Sequence, residues 1–241
     1  MTVPVNISVL VPVYNVEPYL VQCLESICSQ TLRELEVVCV DDASTDGSLS
    51  ILREFAERDP RVKVVQAPEN GGLSRSRNLA MNHAVGEYLF LVDSDDWLET
   101  DLLEEMYSRA KALDADKLVC GFRYYYEADP GREDRFMPED MAPPEKGWLP
   151  CTPETIGKIH HGAGGMMIRR SIVEKHGIRF PEGVACEDLY FHYAVFPWCR
   201  RVCVVSRAAY VYRKRAGSIT SDFASGSSLQ SLDYPVSYTH L

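Results

Sequence analysis

The alternation of apolar runs with amphipathic stretches constrains this chain more than any other feature. "NISVLVPVY" (6–14) is apolar at nearly every position, the pattern of a strand covered on both faces. "EPYLVQCLESICSQ" (17–30) follows, with Pro18 suited to a first helical turn. Its Leu20, Cys23, Leu24, Ile27 and Cys28 fall at helical spacing. The unit then repeats. "LEVVCVDD" (35–42) reads as a strand and 44–59 as a helix, with Ser44 or Asp46 as its cap and Leu49, Leu52, Phe55 and Ala56 inward. A short strand at 62–66, a Gly-rich turn into a helix at 69–84, a strand at 86–93, a helix at 100–113 and a strand at 115–122 complete the series. This β-α-β-α order predicts an α/β fold with a mostly parallel sheet flanked by helices.

Right-handed crossovers would bring the strand ends, and with them Asp41, Asp42 and Asp93–Asp96, to one edge. Open α/β sheets bind ligands along that edge. After residue 123 the texture changes. Residues 127–148 are polar and Pro-rich and read as a long loop of the lid or binding kind. Ordered structure is expected again over 154–220.

The formal net charge of −10 argues against a nucleic-acid partner, because phosphate backbones require a Lys/Arg footprint. A metal-bridged phosphate ligand remains compatible with it. The eight cysteines form no C-x-x-C pair, and several sit in apolar runs, as expected of reduced, buried thiols. The N-terminus lacks a basic segment, and no apolar run reaches membrane-spanning length. A cytoplasmic location is expected, with peripheral membrane association left open. The last residues, "PVSYTHL" (235–241), break with the preceding pattern and look like the translation of a sequencing-library adapter. They are expected to be non-native, with the natural chain continuing beyond 234.

Four stretches carry chemistry. "DDAST" (41–45) places carboxylates where they can accept from a base or ribose, or cap the following helix. "DSDD" (93–96) has D-x-D spacing at a strand end. Hard divalent cations such as Mg2+ or Mn2+ take one or two carboxylates plus substrate phosphates; the alternative is an acidic turn before a helix. "ENGGLSRSRN" (69–78) is a Gly-rich turn into a helix with Arg75 and Arg77, suited to an anion, or a plain helix start. In "ACEDLYFHY" (185–193), Glu187 and Asp188 sit among apolar residues. Burial there would lift a carboxyl into the range of a general base; ordinary helix N-terminal acids are the other reading.

Taken together, "SVLVPVYNVEPYLVQCLESICSQT", "VVCVDDASTDGS", "ENGGLSRSRNLAMNHAVGEYLFLVDSDDWL", "FPEGVACEDLYFHY" and "YVYRKRAGSIT" resemble family 2 glycosyltransferases of the GT-A fold, of the bacterial surface-polysaccharide type. The resemblance implies a Rossmann-like sheet within one domain over 1–234. A nucleotide-sugar half would span 1–123 and an acceptor and catalytic-base half 124–220. It implies that Pro12, Tyr14 and Asn15 line the nucleotide pocket and that Asp42 reads the base with Asp41 beside it. Arg77 would lie near base or phosphate, Asp93 would reach ribose or metal, and Asp95 would bind the metal. Asp188 would be the catalytic base, with Glu187 as substitute. The positive charge answering the acidic cluster would be a divalent metal, Mn2+ or Mg2+, bridging to the diphosphate.

The expected activity is metal-dependent, inverting transfer of one sugar from a nucleotide sugar, a UDP-sugar, to a glycan or lipid-linked acceptor. The Q-x-x-R-W motif of processive synthases is absent. The segment "HHGAGGMMIRRS" (160–171) is richer in glycine than its counterpart in relatives, and His160 or His161 would contact acceptor or metal, or lie on the surface. Two competing readings are a sugar-nucleotide nucleotidyltransferase and a catalytically silent nucleotide-sugar-binding protein. The loop after the first strand, "PVYNVEP", has neither Gly nor Arg, which weighs against the first.

Overall fold

The computed structural model describes residues 4–136, 147–156, 159, 162–216 and 218. His160, His161, the loop residues 137–146 and the 235–241 tail lie outside the described residues. β1 (Ile7–Val13), β2 (Leu35–Asp41), β3 (Val62–Gln66) and β4 (Tyr88–Leu91) form the parallel half of the sheet in the order β3-β2-β1-β4. Every residue of β1 and β2 is buried, as their unbroken apolar runs require. The pleat sends alternate side chains to opposite faces. Ile7, Val9 and Val11 pack with Leu20, Leu24 and Ile27 of α1 (Glu17–Cys28) and Leu52 of α2 (Ser48–Arg58). Leu10, Val38 and Val40 pack on the other face with Ala80 and Met81 of α3 (Leu73–His83). Each such aliphatic side chain removed from water contributes roughly 1.5–3 kcal/mol, so the two faces together fix the register of the sheet.

Pro12 lies in a central strand, where its missing N–H would normally be costly. Pairing of β1 with β4 ends at Leu10, so at Pro12 the strand has a partner only on the β2 side.

The second half departs from the simple alternation. β5 (Trp97–Leu98), α4 (Leu102–Leu113), β6 (Lys117–Tyr126), β7 (Glu133–Phe136), β8 (Leu149–Pro150), α5 (Pro153–Ile156), β9 (Met166–Arg169), α6 (Arg170–Lys175), α7 (Glu187–Val195) and β10 (Arg201–Lys214) follow in order. The sheet continues β4-β9-β6-β10-β5. β9 therefore lies between β4 and β6 and runs antiparallel to both. Met166, Met167 and Ile168 are buried there and fill the sheet between its halves.

The turn into β9 needs its glycines. A Cβ on Gly164 would lie 2.7 Å from the Tyr210 hydroxyl, and Gly165 has φ +71° with Cys120 and Phe122 closing over it. Within the expected loop at 127–148, residues Glu133–Phe136 form a strand. β6 runs on to Tyr126 and β7 returns along it as a hairpin.

All eight cysteines are free thiols, five of them buried.

Candidate active site

Three loops meet beyond the C-terminal ends of β1, β2 and β4. The first two are laced together. Asn15 Oδ1 accepts from Thr45 N at 2.8 Å, and Ser44 Oγ accepts from Asn15 N at 3.1 Å. Asp46 Oδ2 accepts from Glu17 N, while Glu17 Oε2 accepts from Gly47 N. The second helix starts at Ser48 rather than at residue 44. Asp46 therefore serves two helices, its Oδ1 accepting from Ser48 N at 3.0 Å as its Oδ2 serves α1, and Ser44 serves the loop instead. Tyr14 rides on this scaffold at 47% exposure, an aromatic face open to a ligand.

Asn15, Ala43 and Cys186 have positive φ without being glycine. Such conformations cost on the order of 1–3 kcal/mol each and gather at functional sites. Here they sit in the β1 loop, in the β2 loop, and immediately before Glu187. No sequence pattern announces Ala43 or Cys186 as strained.

The two acids at the end of β2 divide their work. Asp42 accepts from Gly71 N at 3.0 Å and Gly72 N at 2.8 Å, tying the Gly-rich turn to the strand end. Gly72 has φ +85°, which a side chain would oppose. Asp41 is 1% exposed, and its Oδ1 has no hydrogen-bond partner among the described residues. A buried unpaired carboxylate oxygen is costly, and a ligand donor would satisfy it.

Arg77, on α3, is 3% exposed. Its guanidinium donates to Asp93 Oδ1 at 2.8 Å and to Glu187 Oε1 at 2.5 Å, and lies over the Phe180 ring at 5.2 Å. Phe180 stacks in turn on Phe191 of α7 at 4.0 Å. Arg77 thus joins the strand end that carries Asp93 to the helix start that carries Glu187. The sequence reading placed Arg77 toward base or phosphate; the structure gives its contacts as two carboxylates and a ring.

The acidic cluster "DSDD" resolves into three different aspartates. Asp93 pairs with Arg77. Asp95 Oδ2 accepts from Arg215 Nε at 2.8 Å. Asp96 is buried, accepting from the Tyr210 hydroxyl at 2.7 Å and from Arg213 N at 2.8 Å. The Tyr210 hydroxyl also accepts from Asp93 N. Burial, then the neighbouring Asp93, pushes the Asp95 carboxyl above its usual range; the same causes, with Asp95 added, push Asp96 well above it. Asp96 is structural. The sequence points to a metal as the positive charge at this edge; in the structure Arg77 and Arg215 bring positive charge to Asp93 and Asp95.

Arg213, Arg215 and Tyr210 went unassigned in the sequence, where they lie more than 110 residues from the aspartates they serve. The pairing of β10 with β5, Tyr210 with Leu98 and Val211 with Trp97, is what brings them together. Only the fold reveals it.

Glu187 and Asp188 open α7. The Asp188 carboxyl is pushed up to about 6, first by burial and then by Glu187, with Arg77 acting in the opposite direction. Its Oδ1 accepts from Leu189 N at 2.8 Å.

The donor set fits a hard divalent cation of the kind that substrate phosphates complete. Among the described residues, no group of three or more His, Cys, Asp or Glu could hold a metal by itself. Asp93 and Asp95 offer two carboxylates at one strand end. Their arginine contacts use Asp93 Oδ1 and Asp95 Oδ2 and leave the other oxygen of each outside those contacts. Mg2+ sites of this type use one or two carboxylates and fill the remaining positions with phosphate and water.

An α/β sheet with acids gathered at its strand ends, faced by a helix that begins with a half-buried acid pair, places a candidate site where open α/β sheets bind ligands. The model of glycosyl transferase family 2 matches residues 8–177, and the chain belongs to that family. It is 35% identical to the glycosyltransferase GlyA of Streptococcus pneumoniae, over 91% of this chain and 32% of that protein. It is 34% identical to the putative glycosyltransferase EpsH of Bacillus subtilis, over 90% of this chain and 63% of that protein. The crystal structure of residues 1–349 of Staphylococcus aureus TarS in complex with UDP-GlcNAc superimposes with a TM-score of 0.76 at 28% identity, covering 90% of this chain and 60% of that one. The fold is that of the GT-A glycosyltransferases. The chain spans less than two thirds of the length of each of these relatives. No helix among the described residues is long and apolar enough to cross a membrane.

Proposed function

We propose that this chain transfers a single sugar from a UDP-sugar to a hydroxyl of a glycan or lipid-linked acceptor, with inversion at the anomeric carbon. The observation that carries the proposal is Asp188. It is a carboxyl raised to about 6, at a helix start that Arg77 ties to the D-x-D strand end through Glu187 and Asp93. A base of that pKa is ionised at neutral pH and still basic enough to take a proton in the transition state. Glu187 is committed to Arg77, which leaves Asp188 as the base.

The nucleotide would lie across the ends of β1 and β2, against Tyr14 and Pro12, with Asn15 holding the loop. Asp41 offers its unpaired oxygen to the base or ribose, while Asp42 holds the glycine turn in place. Asp95 and Asp93 would hold Mn2+ or Mg2+, which when bound supplies Lewis-acid stabilisation of the leaving diphosphate. Asp188 removes the proton from the acceptor hydroxyl, and the acceptor oxygen then attacks from the face opposite the leaving group. One displacement with one base gives inversion. The UDP-GlcNAc named with TarS supports a UDP-sugar donor.

Residues 1–123 would form the donor half and 124–220 the acceptor half of one domain. The expected setting is surface-polysaccharide assembly in the cytoplasm, at or near the membrane's inner face. The test is donor turnover followed by NMR of the fresh product. Release of UDP with an inverted anomeric proton supports the reading. Retention contradicts the single-displacement mechanism, and release of pyrophosphate instead of UDP contradicts glycosyl transfer itself.

A further inference from the structure

The D-x-D turn closes on itself, with Asp96 N donating to Asp93 O at 3.0 Å. β10 then holds it at several points. The Tyr210 hydroxyl accepts from Asp93 N and donates to Asp96. Three residues on, Arg213 adds two more bonds. Its main-chain N donates to Asp96 Oδ1 at 2.8 Å, and its side-chain Nε donates to Asp95 O, also at 2.8 Å. The second bond reaches the main chain of the acid proposed for the metal, not its carboxylate.

Arg213 is 8% exposed, and its surroundings explain how a long cationic side chain is fixed there. Its guanidinium carbon lies 4.8 Å from the ring centre of Trp97 on β5, 4.9 Å from that of Tyr19 on α1 and 5.4 Å from that of Tyr125 on β6. Trp97 and Tyr125 meet edge to face at 5.3 Å. Aromatic faces attract a guanidinium, and more strongly where water is excluded. α1 adds a hydrogen bond, Gln22 Oε1 accepting from Arg213 Nη2 at 2.6 Å. A planar guanidinium carries several donors in one rigid fork, so it serves Asp95 O and Gln22 at once. A lysine ammonium on a flexible stem does not reproduce that geometry.

Arg215 gives the contrast. It shares the Tyr19 ring, with its guanidinium carbon 4.9 Å from the ring centre, but its Nε donates to the Asp95 carboxylate. One arginine therefore takes an oxygen of the acid side chain. The other fixes the main chain from which that side chain projects.

We propose that Arg213 is a positioning residue for the divalent cation. Its guanidinium, held in the cage of Tyr19, Trp97 and Tyr125, grips the Asp95 carbonyl and so sets the direction in which the Asp95 carboxylate is offered to the metal. It acts through Asp95 and not by touching substrate. Residues that orient a metal ligand typically change metal affinity by roughly 10- to 100-fold when they are replaced. The grip works by geometry rather than by charge, so its loss weakens metal binding even when the charge is kept. Loss of Arg215, which occupies the carboxylate itself, acts in the opposite direction. This inference rests on the proposed binding of the metal by Asp95 and Asp93.

The experiment titrates the full chain with Mn2+ in the absence of nucleotide and reads the free ion by its electron paramagnetic resonance signal, with thermal unfolding of the same samples without metal. Wild type and Asp95→Ala are compared first, to identify binding that depends on Asp95. Arg213→Lys, which keeps the charge, should then weaken that binding roughly tenfold. Gln22→Met, an exposed change on α1 that removes one bond to the guanidinium, should weaken it by a smaller factor. An Arg213→Lys protein that melts lower yet binds Mn2+ as tightly as the wild type overturns the inference, since Arg213 would then only brace the sheet. If Arg213→Lys does not fold, Gln22→Met decides, and wild-type affinity in that variant overturns the inference. Equal Mn2+ binding by wild type and Asp95→Ala contradicts the metal reading itself and takes this inference with it.

Discussion

Arg77 donates to Glu187 at 2.5 Å across 110 residues of sequence, and the same guanidinium holds Asp93 at 2.8 Å. The pair closes the strand end proposed for the donor onto the helix that carries the proposed base. Removing one partner of a buried ion pair costs about 3–5 kcal/mol. Arg77→Met should lower stability toward the low end of that range, because the methionine still packs on Phe180 while Asp93 and Glu187 retain some solvent. It should also lower kcat/KM by more than any stability loss accounts for, since Asp93 and Glu187 would then be free to move. Chemical denaturation and donor turnover measured on the same preparation check both parts.

Asp188 predicts a pH profile. Its carboxyl, held up to about 6, must be ionised to act as a base. The logarithm of kcat/KM should rise with unit slope below about pH 6 and level off above it. Asp188→Asn should lose roughly 100- to 10,000-fold in rate and lose the acid limb, while still binding UDP. Stability carries the opposite sign. With a folded value above the ordinary value of about 3.9, the native state binds more protons than the unfolded chain. This group's contribution to stability is therefore fully present below about pH 4 and is lost as pH rises through about 6. Asp188→Asn should remove that dependence and raise the melting temperature at neutral pH.

Arg215 on Asp95 makes a third prediction. The guanidinium occupies one oxygen of the carboxylate assigned to the metal. Arg215→Met removes that competitor, so Mn2+ binding without nucleotide should tighten by roughly 1 kcal/mol, about fivefold. Titration calorimetry reads this directly, and unchanged or weaker affinity would count against the metal position.

Gly164 links a turn to the acidic cluster. A Cβ there would lie 2.7 Å from the Tyr210 hydroxyl and 2.9 Å from the ring carbon that bears it. Tyr210 holds Asp96 and the backbone of Asp93 and is fully buried, so it has little room to yield. Gly164→Ala should destabilise by about 1–3 kcal/mol and weaken nucleotide binding, both measurable by thermal unfolding with and without UDP.

Much of this was legible before any coordinates. The apolar runs at 6–14 and 35–42 became β1 and β2 because a strand buried on both faces leaves an unbroken signature. The acids at 41–42, 93–96 and 187–188 stood out because charge directly after such runs is unusual. What the sequence hid was non-local. β9 is four residues long and gives no periodic signal, yet it separates β4 from β6. Arg77 was visible as a cation, but its partners were not, since nothing in "SRSRN" indicates that α3 faces α7. Asp95 and Asp96 are neighbours with the same chemistry, and only the Tyr210 and Arg213 contacts separate the acid proposed for the metal from a structural one. The roles of Asp41 and Asp42 likewise divide only when the hydrogen bonds to Gly71 and Gly72 are seen.

The central claim is that the D-x-D end of β4 binds a nucleotide diphosphate with a divalent cation. Thermal unfolding of the wild type and Asp95→Ala with UDP, with and without Mn2+, tests it most directly. UDP at about 100 times its Kd should add roughly 2.7 kcal/mol to the wild type when Mn2+ is present, and Asp95→Ala should lose most of that gain. An equal shift in both proteins, or a wild-type shift indifferent to the metal, would contradict the claim.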